Sequence, residues 1–438
     1  MSRKGRRRWV SALAGFIALI VGVPAALGFP VTRAIQVVTG LTSHALCSQS
    51  LISGLDPDRV YAETVRPQAG IGLISWGIRY TLDRKLQEAQ VSFLGGFRSR
   101  SLYVEGRGCV LGWQGSAAEP AMPAPDPLTI PDTSPRMRTA LNGALSKAKA
   151  IVVMHDGELL AEAYSADVRL DSRLPGWSSS KSVINAMLGI LVRQQRLSMD
   201  QRAPVAEWAN DERREITLDQ LLRMTAGLDL NENHSGFDPA SRMLYVERDM
   251  AGFAQRARLK SRPGAIWNYT DCNTLILSRI IRDAVGGRAE EVTAFAQREL
   301  FAPLGIRNML IEFDSTGTPV GATHMFAPAR DWARFGSLYL NDGAVNGKRI
   351  LPEGWVAYSS RPTLGTHYAA GFWTAVGRDS LTGLPADAFF ASGHLGQKVL
   401  IVPSKKLVIA RLAVIHKPAD GDMAGLEKLY ADVVAAMR

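Results

Sequence analysis

Ser178 and Lys181, in the stretch Pro175-Gly176-Trp177-Ser178-Ser179-Ser180-Lys181-Ser182, lie three residues apart, so on a helix they share a face and the amine can approach the hydroxyl. A serine alone is a poor nucleophile near neutral pH. A lysine that has lost water and sits near other cations can act beside it as a neutral base. The same spacing recurs in Ser146-Lys147-Ala148-Lys149. Context separates the two copies. The 146 copy ends a short amphipathic segment and is expected to face water, whereas the 178 copy opens a helix, Val183 to Val192, that is apolar on nearly all faces and therefore buried.

A serine hydrolase also needs a group that returns a proton to the leaving group and donors that hold the tetrahedral oxygen. Tyr269-Thr270-Asp271, placed directly before a helix, offers a phenol that can relay protons between Ser178, Lys181 and the leaving group. Ser392-Gly393-His394-Leu395-Gly396-Gln397 leads into an apolar strand, and its glycines let a substrate approach the backbone. The peptide N–H of Gln397 is expected to join that of Ser178 as an oxyanion hole, each donor being worth roughly 3 kcal/mol in the barrier.

The elements that must position these groups follow from local pattern. A helix from about Pro135 to Lys147 precedes two extended runs, Ala150–His155 and Glu158–Tyr164, joined by the hairpin signal Asp156-Gly157. Thr217-Leu218-Asp219-Gln220 has the form of a capping box. A helix is expected from about Cys272 to Val285, stopped by Gly286-Gly287. Extended runs return at Ala369–Val376, Lys398–Val402 and Leu407–Val414, before a last helix from Met423 to Met437. Strands at both ends with helices between them predict an α+β fold: one antiparallel sheet built from the two ends of the domain, flanked by helices, plus a helical subdomain.

Upstream, the net charge of +10 owes five charges to Arg3, Lys4, Arg6, Arg7 and Arg8, which precede an uncharged run from Trp9 to Thr32. That arrangement is a targeting signal and not a nucleic-acid footprint. Residues 1–33 are read as a membrane anchor or a cleaved signal, 34–117 as a small membrane-proximal segment, 118–134 as a proline-rich linker, and 135–438 as the hydrolase domain. The body is expected to be exported, anchored at the inner membrane with its catalytic domain in the periplasm or outside the cell. An exported compartment permits Cys47 and Cys109 to pair, leaving Cys272 as a small buried apolar residue. Seven scattered histidines give no metal site, no cofactor is expected, and no Gly-x-Ser-x-Gly pentapeptide occurs. Oligomeric state is not legible.

Ser-x-x-Lys at the head of a buried helix, a Tyr-x-Asn-like triplet, and a basic-x-Gly motif before the last strands together resemble the serine beta-lactamase and penicillin-binding protein superfamily. The resemblance spans about residues 135 to 438 and is greatest to the class C-like branch, which includes 6-aminohexanoate-dimer hydrolases, beta-lactamase-fold esterases and D-aminopeptidases. Leu221-Leu222-Arg223-Met224-Thr225-Ala226-Gly227-Leu228 and Arg262-Pro263-Gly264-Ala265-Ile266-Trp267-Asn268-Tyr269 support it. It implies Ser178 as acyl-accepting nucleophile, Lys181 as its base, Tyr269 as catalytic tyrosine, and His394 with Gly396 as the third motif. Two departures, Asp271 in place of asparagine and His394 in place of lysine, point away from a dedicated beta-lactamase toward a less acidic small-molecule or peptide-like amide or ester. The alternatives are a non-hydrolytic, penicillin-binding-like sensor and a true class C-like beta-lactamase.

Overall fold

Apolar runs from opposite ends of the chain meet in one sheet because both are apolar on both faces. The computed structural model describes residues 31–129, 132–233, 235–377, 381–418 and 422–438; the expected anchor or signal over 1–33 lies almost wholly outside them. Helix α1 (Val31–Cys47) packs on a four-stranded meander of β1 (Ile78–Asp83), β2 (Glu88–Phe93), β3 (Gly96–Val104) and β4 (Gly108–Leu111). After it come α2 (Pro135–Leu145), β5 (Ala148–His155), β6 (Glu158–Tyr164), α3 (Ser180–Arg193), α4 (Leu218–Leu222), α5 (Pro239–Tyr245), α6 (Asp271–Val285) and α7 (Ala329–Leu340). The chain closes with β7 (Trp373–Thr374), β8 (Phe389–Gly393), β9 (Gln397–Val402), β10 (Leu407–Ala413) and α8 (Met423–Ala436).

The main sheet has the order β7-β8-β9-β10-β5-β6, antiparallel throughout, so the C-terminal strands add directly to the N-terminal hairpin. Along β10, Val408, Ala410 and Leu412 enter the core that contains α3, while Leu407, Ile409 and Ala413 enter the core under α2 and α8. This period-2 split buries every residue of the strand, and hence its sequence is apolar throughout except at Arg411, whose guanidinium pairs with Asp422. The expected run Ala369–Val376 is regular only at Trp373–Thr374, because the carbonyls of Ala370 and Gly371 accept hydrogen bonds from Asn185 and Ser182 of α3 instead of pairing with a strand.

The residues before α2 are bound to the rest of the chain. Gly40 of α1 lies so close to α5 that a Cβ there would meet the Tyr245 carbonyl oxygen at 2.0 Å. Cys47 and Cys109 form a disulfide that ties α1 to β4, and Cys272 is free and buried. Among its described residues the proline-rich stretch carries no helix or strand and lies as a strap, with Asp126 paired to Arg334 at 2.8 Å and the Ala124 backbone bonded to Asn308. Among the described residues no helix is long and apolar enough to cross a membrane.

Candidate active site

Ser178 lies in a single tight turn, Trp177–Ser179, that feeds directly into α3. The turn is held by close backbone approaches that only glycine allows. A Cβ on Gly176 would overlap the Trp332 ring at 2.1 Å, and one on Gly393, at the end of β8, would meet the Gly176 oxygen at the same distance. Trp177 adopts a positive φ of 48°, a sparsely populated conformation maintained by this packing. The sheet edge and the nucleophile turn are thereby pressed together.

Lys181 projects from the first turn of α3 and is 2% exposed. Its Nζ donates to Ser178 Oγ at 3.0 Å, to the Ala322 carbonyl at 3.1 Å, and to Asp271 Oδ1 in a very short contact. Burial alone would lower the proton affinity of this amine, but the charge of Asp271, aided by Tyr269 and Glu232, raises it above that of an ordinary lysine. The resting amine is an ammonium ion. The sequence-based expectation of a neutral lysine among cations is therefore corrected: the neighbours are carboxylates. Asp271, expected to face the substrate, pairs with Lys181 from the first turn of α6, where Thr270 is the N-cap.

Glu232 completes this charged cluster, and nothing in its local sequence marks it. Its Oε2 accepts the Asp271 backbone N–H at 2.5 Å. Burial first, and then the charge of Asp271, push the Glu232 carboxyl up to about 8, against the pull of Lys181. One more buried negative charge beside Asp271 costs more than the single ammonium returns.

Tyr269 stands over Lys181, with Nζ 4.9 Å from the ring centroid. Burial raises its pKa while Lys181 and a hydrogen bond with Ser178 pull it down, and the net rise keeps the phenol neutral. Its ring is caged by Tyr368 at 5.4 Å, Trp373 at 5.7 Å and Trp267 at 6.3 Å, which fix its position. His394 faces the turn from the other side, its ring 5.4 Å from Trp177 and its Nε2 3.2 Å from Gln68 Oε1. Gly396 holds a φ of 88°, and the Gln397 side chain is bonded to Ala413 of β10 and to the His394 carbonyl. These contacts leave the start of β9 rigid beside the serine turn.

The fold thus brings together Ser178, Lys181, Tyr269 and Asp271, with His394, Gly396 and Gln397 on the neighbouring strand end. It leaves Ser146 and Lys149 elsewhere. Gln68, Glu232 and Tyr368 join the site by tertiary packing, with no local sequence signal. The fold also gathers two of the scattered histidines: His44, Glu312 and His324 could by type hold a metal, their ligand atoms lying within 4.8 Å. The imidazoles stack face to face at 3.9 Å, and Glu312 accepts from His44, Ser48 and the Cys109 N–H, all at 2.8 Å. That geometry staples α1 and β4 to the larger domain.

An antiparallel sheet built from both chain ends, with a serine-lysine pair at the head of a buried helix, defines the fold class of serine beta-lactamases and penicillin-binding proteins. Solved structures agree on the fold. A proposed 6-aminohexanoate-dimer hydrolase from Bacillus anthracis matches with a TM-score of 0.58 and 23% identity, covering 68% of this chain and 82% of that one. A penicillin-binding protein homologue from Caulobacter crescentus matches with a TM-score of 0.55 and 17% identity, over 70% and 99%. The 6-aminohexanoate-dimer hydrolase of Paenarthrobacter ureafaciens is 27% identical over 353 residues, 74% of this chain and 87% of that protein. The beta-lactamase family profile matches residues 144–432, so the chain belongs to the beta-lactamase family and is a serine hydrolase of amidase or esterase type.

Proposed function

We propose that this protein is an exported hydrolase that cleaves an amide or ester through an acyl-enzyme on Ser178. The observation that carries the reading is the hydrogen bond from Lys181 Nζ to Ser178 Oγ at 3.0 Å, with Tyr269 over the same amine. Ser178 Oγ attacks the substrate carbonyl carbon. Its proton passes to Lys181 as Lys181 yields one to Asp271, its short-contact partner. The backbone N–H groups of Ser178 and Gln397 receive the oxyanion. The C–N or C–O bond breaks as Tyr269 protonates the leaving group, and Lys181 then reprotonates Tyr269. Water hydrolyses the ester by the reverse relay. With a buried ammonium at its centre, the site stabilises developing negative charge and excludes water from the relay.

Export is supported by the basic residues ahead of the apolar run Trp9–Thr32 and by the Cys47–Cys109 disulfide, which an oxidising compartment maintains. The named activity of the Paenarthrobacter relative favours an amide among possible substrates. Labelling with a fluorophosphonate tests the reading: the expected result is a single adduct on a Ser178 peptide, absent from Ser178→Ala. Equal labelling of that variant overturns it.

A further inference from the structure

A cavity of about 980 Å³ opens on Ser178 and is lined mainly by apolar side chains. Its titratable lining includes Asp271 and His394, which border it together with Ser178. One wall is α1, through Ile35, Val38 and Leu41; the facing wall is the segment from Gly70 to Trp76. These two walls lie outside the 144–432 region shared with the family, while Phe237, Ala240 and Leu244 line the groove from within it, so residues before the family region enlarge a cleft that the family region only partly builds.

Its outer rim is unusual for a protein surface. Leu73 is 82% exposed, Trp76 66%, Leu94 62% and Phe237 48%, and all four line the same groove. Single exposed apolar residues are ordinary, but several converging on one mouth mark a binding surface. Val31, the first described residue of α1, also lines the groove.

We propose that the groove holds the acyl chain of the substrate, and that the substrate class is an ester or amide of a long-chain fatty acid. This rests on the Ser178 reading above. A polar peptide or a compact bicyclic amide would leave these walls in water. A hydrocarbon chain covers them and places its carboxyl carbon beside the nucleophile, where Ser178, Asp271 and His394 line the groove. The cavity is large enough for a ligand of that size. The bond changes are those already given: the acyl carbon joins Ser178 Oγ, the alcohol or amine leaves with the proton from Tyr269, and water releases the fatty acid.

The test is kinetics of the full chain on p-nitrophenyl acetate, butyrate, octanoate and laurate below their aggregation limits, together with binding of a fluorescent fatty acid to Ser178→Ala. Wild-type kcat/KM is expected to rise with chain length, by up to roughly three- to fourfold per methylene. Ala34→Trp, which narrows the groove, should cut the laurate-to-acetate ratio at least tenfold, and Leu73→Ser at the exposed rim should lower it less. Acetate cleavage with a flat or falling length profile overturns the groove assignment and leaves the hydrolase reading intact. If neither these esters nor the matching p-nitroanilides are cleaved but Ser178→Ala binds the fatty acid and the added Ala34→Trp change abolishes it, the hydrolase reading fails and the groove stands. A groove that refuses the probe, including one filled by the chain's own residues 9–30, overturns the inference.

Discussion

Ser146–Lys149 and Ser178–Lys181 carry the same two side chains at the same spacing, and each lysine lies among carboxylates. Lys149 Nζ is 2.8 Å from both Glu63 and Asp167, near the surface. Lys181 is buried against Asp271, with Glu232 behind it. Burial reverses the sign of the outcome. Around Lys149 the desolvation of Glu63 and Asp167 is outweighed by hydrogen bonds from that lysine, and both carboxyls fall below their ordinary values. Around Lys181 desolvation wins at Glu232, which rises. Ser146, exposed, donates to the Gly143 carbonyl at 3.3 Å, whereas Ser178 receives the lysine's own hydrogen bond. A motif becomes a site only where the fold removes water and aims both groups at one cleft.

Substitutions in pairs break this comparison most strongly. Ser178→Ala should lower ester or amide hydrolysis by ~10⁴-fold or more, while Ser146→Ala stays within about twofold of wild type in the same steady-state assay. Lys181→Ala should cost ~10³-fold in acylation, followed by stopped-flow release of a chromogenic leaving group. Lys149→Ala should leave that rate unchanged. Asp271→Ala strands a buried ammonium and should cost about 3 kcal/mol or more in urea unfolding. Asp167→Ala, near the surface, should cost about 1 kcal/mol or less.

A pH dependence sharpens the comparison from a second side. Because Glu232 is raised from 4.5 to about 8, the folded state binds one more proton than the unfolded state between those values. Stability attributable to this carboxyl therefore falls as pH rises through that window. Glu232→Gln should match wild type near pH 4 and melt at a higher temperature at pH 8 and above. The Glu63 carboxyl is depressed, so its contribution is present above its ordinary pKa and is lost as pH falls. Glu63→Gln should accordingly match wild type at the acid end, where the carboxyl is protonated anyway, and melt at a lower temperature from neutral pH upward.

Much of the frame was legible because local patterns coincided with tertiary need. The Asp156-Gly157 hairpin, the Thr217 capping box and the apolar runs at β9 and β10 are features in which neighbours in sequence meet in space. Ser178 and Lys181 belong to the same category, being one helical turn apart. Glu232 and Gln68 do not: each approaches its partner across 39 and 326 residues, respectively, through packing that no local spacing encodes. The carboxylate surroundings of Lys181 are illegible locally for the same reason, since Asp271 at the head of α6 and Glu232 lie far from it in sequence. The apolar groove was equally invisible, because its walls come from α1, the Gly70–Trp76 segment and the loop at Phe237, each unremarkable alone.

The most direct measurement is the mass of the protein quenched in acid during turnover of a slow ester substrate, with peptide mapping of the adduct. The account predicts one acyl group on Ser178, lost with time and absent in Ser178→Ala. Substrate consumed with no adduct, or with the acyl group on another residue, would contradict it.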